Sequence, residues 1–503
     1  MSVLNAVISW FMKKRMHQME LFMKYPIEVQ EDVRRRLIEA AEDTVWGRQY
    51  GYKSIRSADE FRNRVPISSY EELQPFIERI MKGEQKVLWH SEIRWFAKSS
   101  GTTNDRSKYI PVSEEALEDC HYKAGKDLLS MYCHINPETR MFAGKGLTIG
   151  GSHQISQLNA DTYTGDLSAV LMQNLPFWAE FIRTPELSVA LLEKWEEKVV
   201  RIGSETMKQD VTNISGVPTW IIVLFRWMLE TTGKQHMHEI WPNLEVYFHG
   251  GVSFNPYREQ FKQLIPGSKM HYIETYNASE GFFGMADQSG TDEMLLMLDY
   301  GIYFEFIDPA DVGKSDAKTY TLDEVETDRV YAVIISTNAG LWRYLIGDTI
   351  RFTNLNPFRF RISGRTKQYI NAFGEELMVE NAEQGLKAAC EATGASIRDY
   401  TAGPIFLSTA NKGGHEWLIE FEVLPSNQEL FNEVLDRRMR ELNSDYDAKR
   451  QHDLALLAPL VKVMPEGTFY KWMKHRGKLG GQNKVPRLAN DRKFLEEILA
   501  MGQ

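Results

Sequence analysis

Residues 98–111 read KSSGTTNDRSKYIP. An apolar run, Ile93-Arg94-Trp95-Phe96-Ala97, precedes the stretch, and Ser113 through Leu129 has helical spacing. The apolar run reads as a buried strand, so the stretch reads as a loop between a strand and a helix. Such loops carry function often, because a rigid scaffold holds them while their backbone stays free. Ser99, Ser100, Thr102 and Thr103 offer hydroxyls, Gly101 lets the backbone approach a ligand closely, and Lys108 adds a positive charge. Together they suit a phosphate chain. The G-x-x-x-x-G-K-S/T spacing does not occur here, so a Walker-type loop is not supported. A plain polar turn has the same composition.

Working outward, strand-like runs recur between helical patterns. LEVYFHGG at 244–251, MHYIETYNAS at 270–279 and VYAVIIST at 330–337 are strand-like, and 186–201 and 219–232 have helical spacing. Strands alternating with helices predict an α/β class with mixed, partly parallel sheets. LWRYLIGDTIRFTNLNPFRFRISGR at 341–365 reads as strands and turns, with Gly347-Asp348 ending a strand. Beyond it come a helix over 378–392, a strand over 415–424, a helix over 428–443 and a basic, glycine-bearing tail, KHRGKLGGQNKVPR, at 474–487. The expected organisation is a large N-terminal α/β domain over 1–363 and a smaller α+β domain over 364–503, each able to hold its own core.

The totals narrow the function classes. The chain has 503 residues, 43% hydrophobic and 25% charged, with a formal net charge of -10. That balance suits packed cores and argues against nucleic-acid binding, which calls for a basic domain or stripe. Three scattered cysteines, Cys120, Cys133 and Cys390, make neither a disulfide scaffold nor a zinc site, which suits a reduced, cytoplasmic setting. No stretch approaches the ~20 apolar residues of a membrane span. The start, MSVLNAVISWFMKKRMHQMELF, carries its charges after the apolar run, unlike a signal peptide, and reads as an amphipathic helix. Nothing in the sequence fixes an oligomeric state.

Three further places could carry chemistry. In ETYNASEGFFG at 274–284, Glu280 follows Ser279 in a turn after a strand, and Tyr276 could stack on a base. A carboxylate beside phosphates usually holds magnesium. In RYLIGDTIRF at 343–352, Asp348 could accept hydrogen bonds from ribose hydroxyls. In GGQNKVPR at 480–487, Lys484 could neutralise charge developing on a phosphate. Each also fits a solvated turn or an exposed lysine when read alone.

Their order is more specific than any one of them. SSGTT, YNASEG, RYLIGD and the late lysine of GQNKVPR together resemble the acyl-adenylating superfamily. Within it, the chain resembles the GH3 family of acyl acid–amido synthetases, in a bacterial-type version, from about residue 30 to the end. ISGVPTW at 214–220 adds to the likeness. Asn104-Asp105-Arg106 stand where the superfamily often has glycine and proline, and Leu345 stands where plant members usually carry arginine, with Arg343 just before it.

The resemblance implies a two-step ligase using ATP and Mg2+. A carboxylate attacks the α-phosphate, pyrophosphate leaves, and an amine, that of an amino acid, then takes the acyl group from AMP. It implies that Ser99, Ser100, Gly101, Thr102, Thr103 and Lys108 hold phosphates. Glu280, with Ser279, assists magnesium or phosphate, while Tyr276 with Gly250-Gly251 lines the adenine site. Asp348 binds ribose with Arg365 at a hinge, and Lys484 comes from a smaller domain that closes over the site. Segments 214–225 and 146–156 are candidate linings of the acyl pocket, although apolar runs beside Gly and Pro are also ordinary core. An acyl-CoA ligase and a non-catalytic nucleotide sensor share the same fold as alternatives.

Overall fold

The structure, a computed structural model, describes residues 15–99, 108–150, 155–159, 161–175, 182–192, 195–252, 254, 257–314, 316–366, 369–407, 412–451, 456–476 and 485–501. The expected amphipathic helix at the start falls largely outside them. The described residues up to Thr366 form one compact unit, and those after it form a second.

In the first unit the strands run, in chain order, β1 (Trp95–Ser99), β2 (Lys108–Val112), β3 (Lys145–Thr148), β4 (Ser156–Asn159), β5 (Thr162–Gly165), β6 (Arg183–Thr184), β7 (Val211–Ser215) and β8 (Val246–Gly250). There follow β9 (His271–Ala278), β10 (Gly281–Met285), β11 (Met294–Leu296), β12 (Ile302–Ile307), β13 (Thr319–Tyr320), β14 (Val330–Thr337), β15 (Tyr344–Leu355) and β16 (Phe358–Arg365). Among the described residues they build a sheet in the order β13-β12-β14-β15-β16-β11-β10-β9-β8-β7-β3-β6 and a smaller one in the order β2-β1-β5-β4.

The large sheet changes character at β9. From β6 through β3, β7 and β8 to β9 every pairing is parallel, and from β9 to β13 every pairing is antiparallel. Parallel neighbours need crossovers, and the helices Trp195–Thr206, Pro218–Thr232 and Arg258–Leu264 supply them. Such strands are covered on both faces and read as near-continuous apolar runs. Accordingly, Val246, Tyr247, Phe248 and His249 of β8 are all buried. The helix over Pro218–Thr232 buries Ile221, Leu224, Phe225 and Met228, so the apolar 220–225 segment is core.

Two sequence expectations are corrected. The phosphate-type stretch joins two strands, not a strand and a helix. Lys108–Val112 pairs antiparallel with Trp95–Ser99, and Ser99 lies opposite Lys108. The short run Lys-Tyr-Ile-Pro-Val is half apolar, and the stronger helical pattern after it masks its strand character. Gly347 and Asp348 sit near the start of β15 rather than at a strand's end, because the chain turns before Tyr344.

The second unit has a hairpin of β17 (Tyr369–Ile370) and β18 (Leu377–Met378), and a sheet in the order β19-β20-β21 (Ser396–Leu407, Lys412–Val423, Leu460–Val463). Helices Val379–Thr393 and Gln428–Leu442 pack together. Strand β19 carries no apolar alternation strong enough to stand out in the sequence. The whole chain is thus a mixed α/β protein with a large N-terminal part and a smaller α+β part.

Candidate active site

Strand β9 is the last of the parallel strands, and its C-terminal end runs into a two-residue turn, Ser279-Glu280, before β10 returns antiparallel. Both turn residues are half-buried. Burial pushes the Glu280 carboxyl above the usual carboxylate range. The Lys108 ammonium opposes that push, and Asp348 and Arg365 also act on it, in opposite directions. One acid, one lysine and one ion pair therefore share a field at the ends of the parallel strands, where ligands bind in open α/β sheets.

Asp348 on β15 lies directly opposite Arg365 on β16. Arg365 Nε donates to Asp348 Oδ1 at 2.5 Å, and the Tyr276 hydroxyl donates to Oδ2. Gly347 makes this corner possible. It sits at φ +97°, in the left-handed region that a side chain would strain, and its carbonyl accepts from Thr366 N at 2.7 Å. Arg365 is the last residue of β16 and belongs to the first unit. The Tyr276 ring packs against Phe283 and Phe360, with centroids 4.8 and 6.1 Å away. Burial, with Asp348 adding to it, holds the Tyr276 hydroxyl protonated well beyond its ordinary range.

Lys108 projects its ammonium to 3.4 Å from the Tyr344 hydroxyl, with the Tyr70 and Tyr344 rings 5.6 and 6.0 Å away. Two aromatic walls hold the charge in place without neutralising it. The Tyr70 hydroxyl in turn accepts from Tyr109 N at 2.8 Å. Sequence reasoning missed both tyrosines. Tyr344 stands inside the RYLIGD motif, but Tyr70 opens a helix with no local sign of its partner.

Gly250 ends β8, and a Cβ there would sit 2.4 Å from the Thr275 carbonyl oxygen. Gly251 follows at φ +81°. The strand end is therefore bare backbone beside β9. Ser99 ends β1. Ser100, Gly101, Thr102, Thr103 and Lys484 lie outside the described residues. Among the described residues no group of three or more His, Cys, Asp or Glu could hold a metal, and no helix is long and apolar enough to cross a membrane.

Known proteins match this chain along its length. The GH3 family N-terminal domain model matches residues 15–270, the central domain model 295–365 and the C-terminal domain model 380–493. The chain belongs to the GH3 family. Among curated relatives, indole-3-acetic acid-amido synthetase GH3.3 of Arabidopsis thaliana is 24% identical over 93% of this chain and 90% of its own. Jasmonoyl–L-amino acid synthetase GH3.5 of Oryza sativa subsp. japonica is 22% identical over 95% of each. Among solved structures, the AtGH3.15 acyl acid amido synthetase in complex with 2,4-DB superposes with a TM-score of 0.61 at 17% identity, covering 94% of this chain and 93% of that one. A 2-hydroxyisobutyryl-CoA ligase, solved with 2-HIB-AMP and CoA, gives 0.57 at 13% identity over 95% and 92%. The fold is thus one that both kinds of protein share.

In this GH3 chain the arginine beside the third motif has a structural task. Arg343 is buried and donates to both oxygens of Glu305 at 2.9 Å and to the Arg62 and Val65 carbonyls. The described strand residues of the two segments suggested for the acyl pocket are neighbours: Thr148 of β3 pairs with Ser215 of β7, and residues 151–154 lie outside the described ones. The buried Lys198 reaches the same edge and donates to the Gly150 carbonyl at 3.1 Å.

Proposed function

We propose that this chain joins a carboxylic acid to an amino acid, spending ATP and releasing AMP and pyrophosphate. The observation that carries the reading is the convergence of Glu280, Lys108 and the Tyr276–Asp348–Arg365 cluster at the ends of the parallel strands of a GH3 chain. The named relatives, an indole-3-acetic acid-amido synthetase and a jasmonoyl–L-amino acid synthetase, support the amide product.

Each oxygen of Asp348 accepts one bond within the protein and keeps a second lone pair, so the carboxylate can also take the two ribose hydroxyls. Tyr276 and the Gly250-Gly251 strand end line the base beyond it. Ser99, Ser100, Gly101, Thr102 and Thr103 hold the phosphates with Lys108. The acid's carboxylate attacks the α-phosphorus, the bond to the β-phosphate oxygen breaks, and pyrophosphate leaves. Lys484 adds positive charge in that transition state. The amine then attacks the acyl carbon and expels AMP.

Magnesium suits this donor set. It usually takes one or two protein carboxylates and completes its shell with phosphate oxygens and water, so a single partly buried glutamate without a surrounding cage fits. Glu280 would hold it, and the ion would neutralise phosphate charge. The three free cysteines suit a reducing cytoplasm.

The test is a pyrophosphate-release screen across carboxylic acids, each with mixed amino acids. Release that needs both ATP and a particular acid supports the reading. Nucleotide binding with no release from any acid would favour a sensor instead.

A further inference from the structure

Strand β9 outruns its parallel neighbour. Its last pairing with β8 is Thr275 with Gly250, so Tyr276, Asn277 and Ala278 stand past the end of β8. They overhang the crevice in which open α/β sheets bind ligands. Successive side chains on a strand point to opposite faces. Tyr276 is buried and reaches Asp348, so Asn277 points the other way, and it is exposed.

An unusual helix start meets that face. The helix over Lys123–Ile135 opens from a π-turn over Ala116–Tyr122. Such turns are rare and occur frequently at functional sites. His121 lies within it and is held from both sides. Phe282 N donates to Cys120 Sγ at 3.3 Å, and the Tyr122 hydroxyl donates to the Leu171 carbonyl at 3.0 Å. Phe282 is the register partner of Asn277, which brings His121 to Asn277, and the two side chains hydrogen-bond. His121 is 7% exposed, and its Nδ1 has no hydrogen-bond partner. Burial, opposed by Asn277, holds the ring down to about 4, so it is neutral near pH 7.

A neutral imidazole has one N–H and one lone pair, and its partners fix which nitrogen is which. A buried N–H without an acceptor is the rarer orphan. The unpartnered Nδ1 is therefore the lone pair, and Nε2 carries the hydrogen and donates to the Asn277 side-chain oxygen. That leaves the Asn277 NH2, with two donors, for the crevice, where it suits an oxygen. On the adenylation reading, on which this inference rests, ribose takes the Tyr276 face and phosphates the Glu280 turn. The opposite face is left to the acid. Asn277 stands three residues back from Glu280, ~10 Å along the strand, so it meets the body of the acid rather than its reacting carboxylate. We infer that Asn277, oriented by His121, donates a hydrogen bond to an oxygen on the acyl body, so that the preferred acids carry a hydroxyl or oxo group there. Asn277 is a specificity-determining residue, and His121 is a positioning residue.

The test runs the acid screen as matched pairs on the full chain, with ATP, magnesium and mixed amino acids. Hexanoic with 6-hydroxyhexanoic acid and 3-phenylpropanoic with 3-(4-hydroxyphenyl)propanoic acid are two such pairs. Thermal melts check that each variant folds. In wild type the hydroxylated member of an accepted pair should have the lower KM by about five- to tenfold, the worth of one hydrogen bond. Asn277→Ala should bring the two KM values together. His121→Ala should do the same, whereas His121→Gln, whose amide can donate to Asn277 as Nε2 does, should keep the preference. A merely structural loss would move both acids alike and leave their ratio. Wild type with no preference for any hydroxylated acid would overturn the inference and leave the adenylation reading standing, and so would a folded Asn277→Ala protein that keeps the wild-type preference. Pyrophosphate release from no acid at all would overturn both.

Discussion

Asp348 and Arg365 face each other across β15 and β16 with 2.5 Å between Oδ1 and Nε, and the second oxygen of Asp348 takes the hydroxyl of Tyr276 from β9. Sheet order places β16, β11 and β10 between β15 and β9. Neighbouring strands lie ~4.8 Å apart, so a flat sheet would hold β15 and β9 ~19 Å apart, too far for one tyrosine to bridge. The sheet must curl, and its curl is what gathers the second and third motifs into one site.

Asp348→Ala should weaken ATP binding at least tenfold. The substitution removes the proposed ribose contacts, and hydrogen bonds to a charged group are worth about 1.5–3 kcal/mol each. Calorimetry on the folded variant checks it; an unchanged affinity would remove Asp348 from the nucleotide site.

Glu280→Gln should lower turnover by about tenfold or more, or ~1.4 kcal/mol, while the fold persists. The magnesium-holding form is the carboxylate, and burial raises the pH at which it forms. Adenylation should therefore fall, on acidification, at a higher pH than an ordinary glutamate would give. Pyrophosphate exchange measured against pH shows this as an acid limb in wild type. If the variant retains the same limb and rate, the metal role is lost.

Arg343→Ala should cost stability rather than chemistry. It leaves Glu305, 1% exposed, as an uncompensated buried charge, a loss of about 3–5 kcal/mol. Denaturant unfolding measures the loss, and ATP affinity below the transition should stay near wild type. A stable variant with lost ATP binding would return this arginine to the site.

Lys484→Ala should slow adenylate formation and leave ATP affinity nearly intact, because a charge acting in the transition state lowers turnover more than binding. Removal of one such contact costs about a hundredfold. Pyrophosphate exchange at the wild-type rate would exclude the role.

The sequence made some of this site legible and hid the rest for physical reasons. Glu280 and Asp348 stand beside backbone turns, at Ser279-Glu280 and at Gly347, and turn residues leave a local mark. Gly250-Gly251 was readable for the same reason. The hydrogen bond from Tyr276 to Asp348 depends on the curl of the sheet, which no local pattern encodes. Lys108 was visible as a charge, but its cage of Tyr70 and Tyr344 joins residues far apart in the chain. The short strand Lys108–Val112 was overshadowed by the helix after it, so the loop's second flank was misread.

The fold is shared with both an amido synthetase and a CoA ligase, so the second nucleophile decides the central claim. Coenzyme A is large and bears phosphates, and outside the 471–487 tail the sequence shows no comparable basic cluster to receive it, with a net charge of -10. An amino acid needs only a small carboxylate contact and a free amine. The most direct measurement is mass spectrometry of reactions holding ATP, magnesium and an accepted acid, with either mixed amino acids or CoA. An acyl amide should form with the amino acids, and little thioester with CoA. Efficient thioester formation with no amide would contradict it.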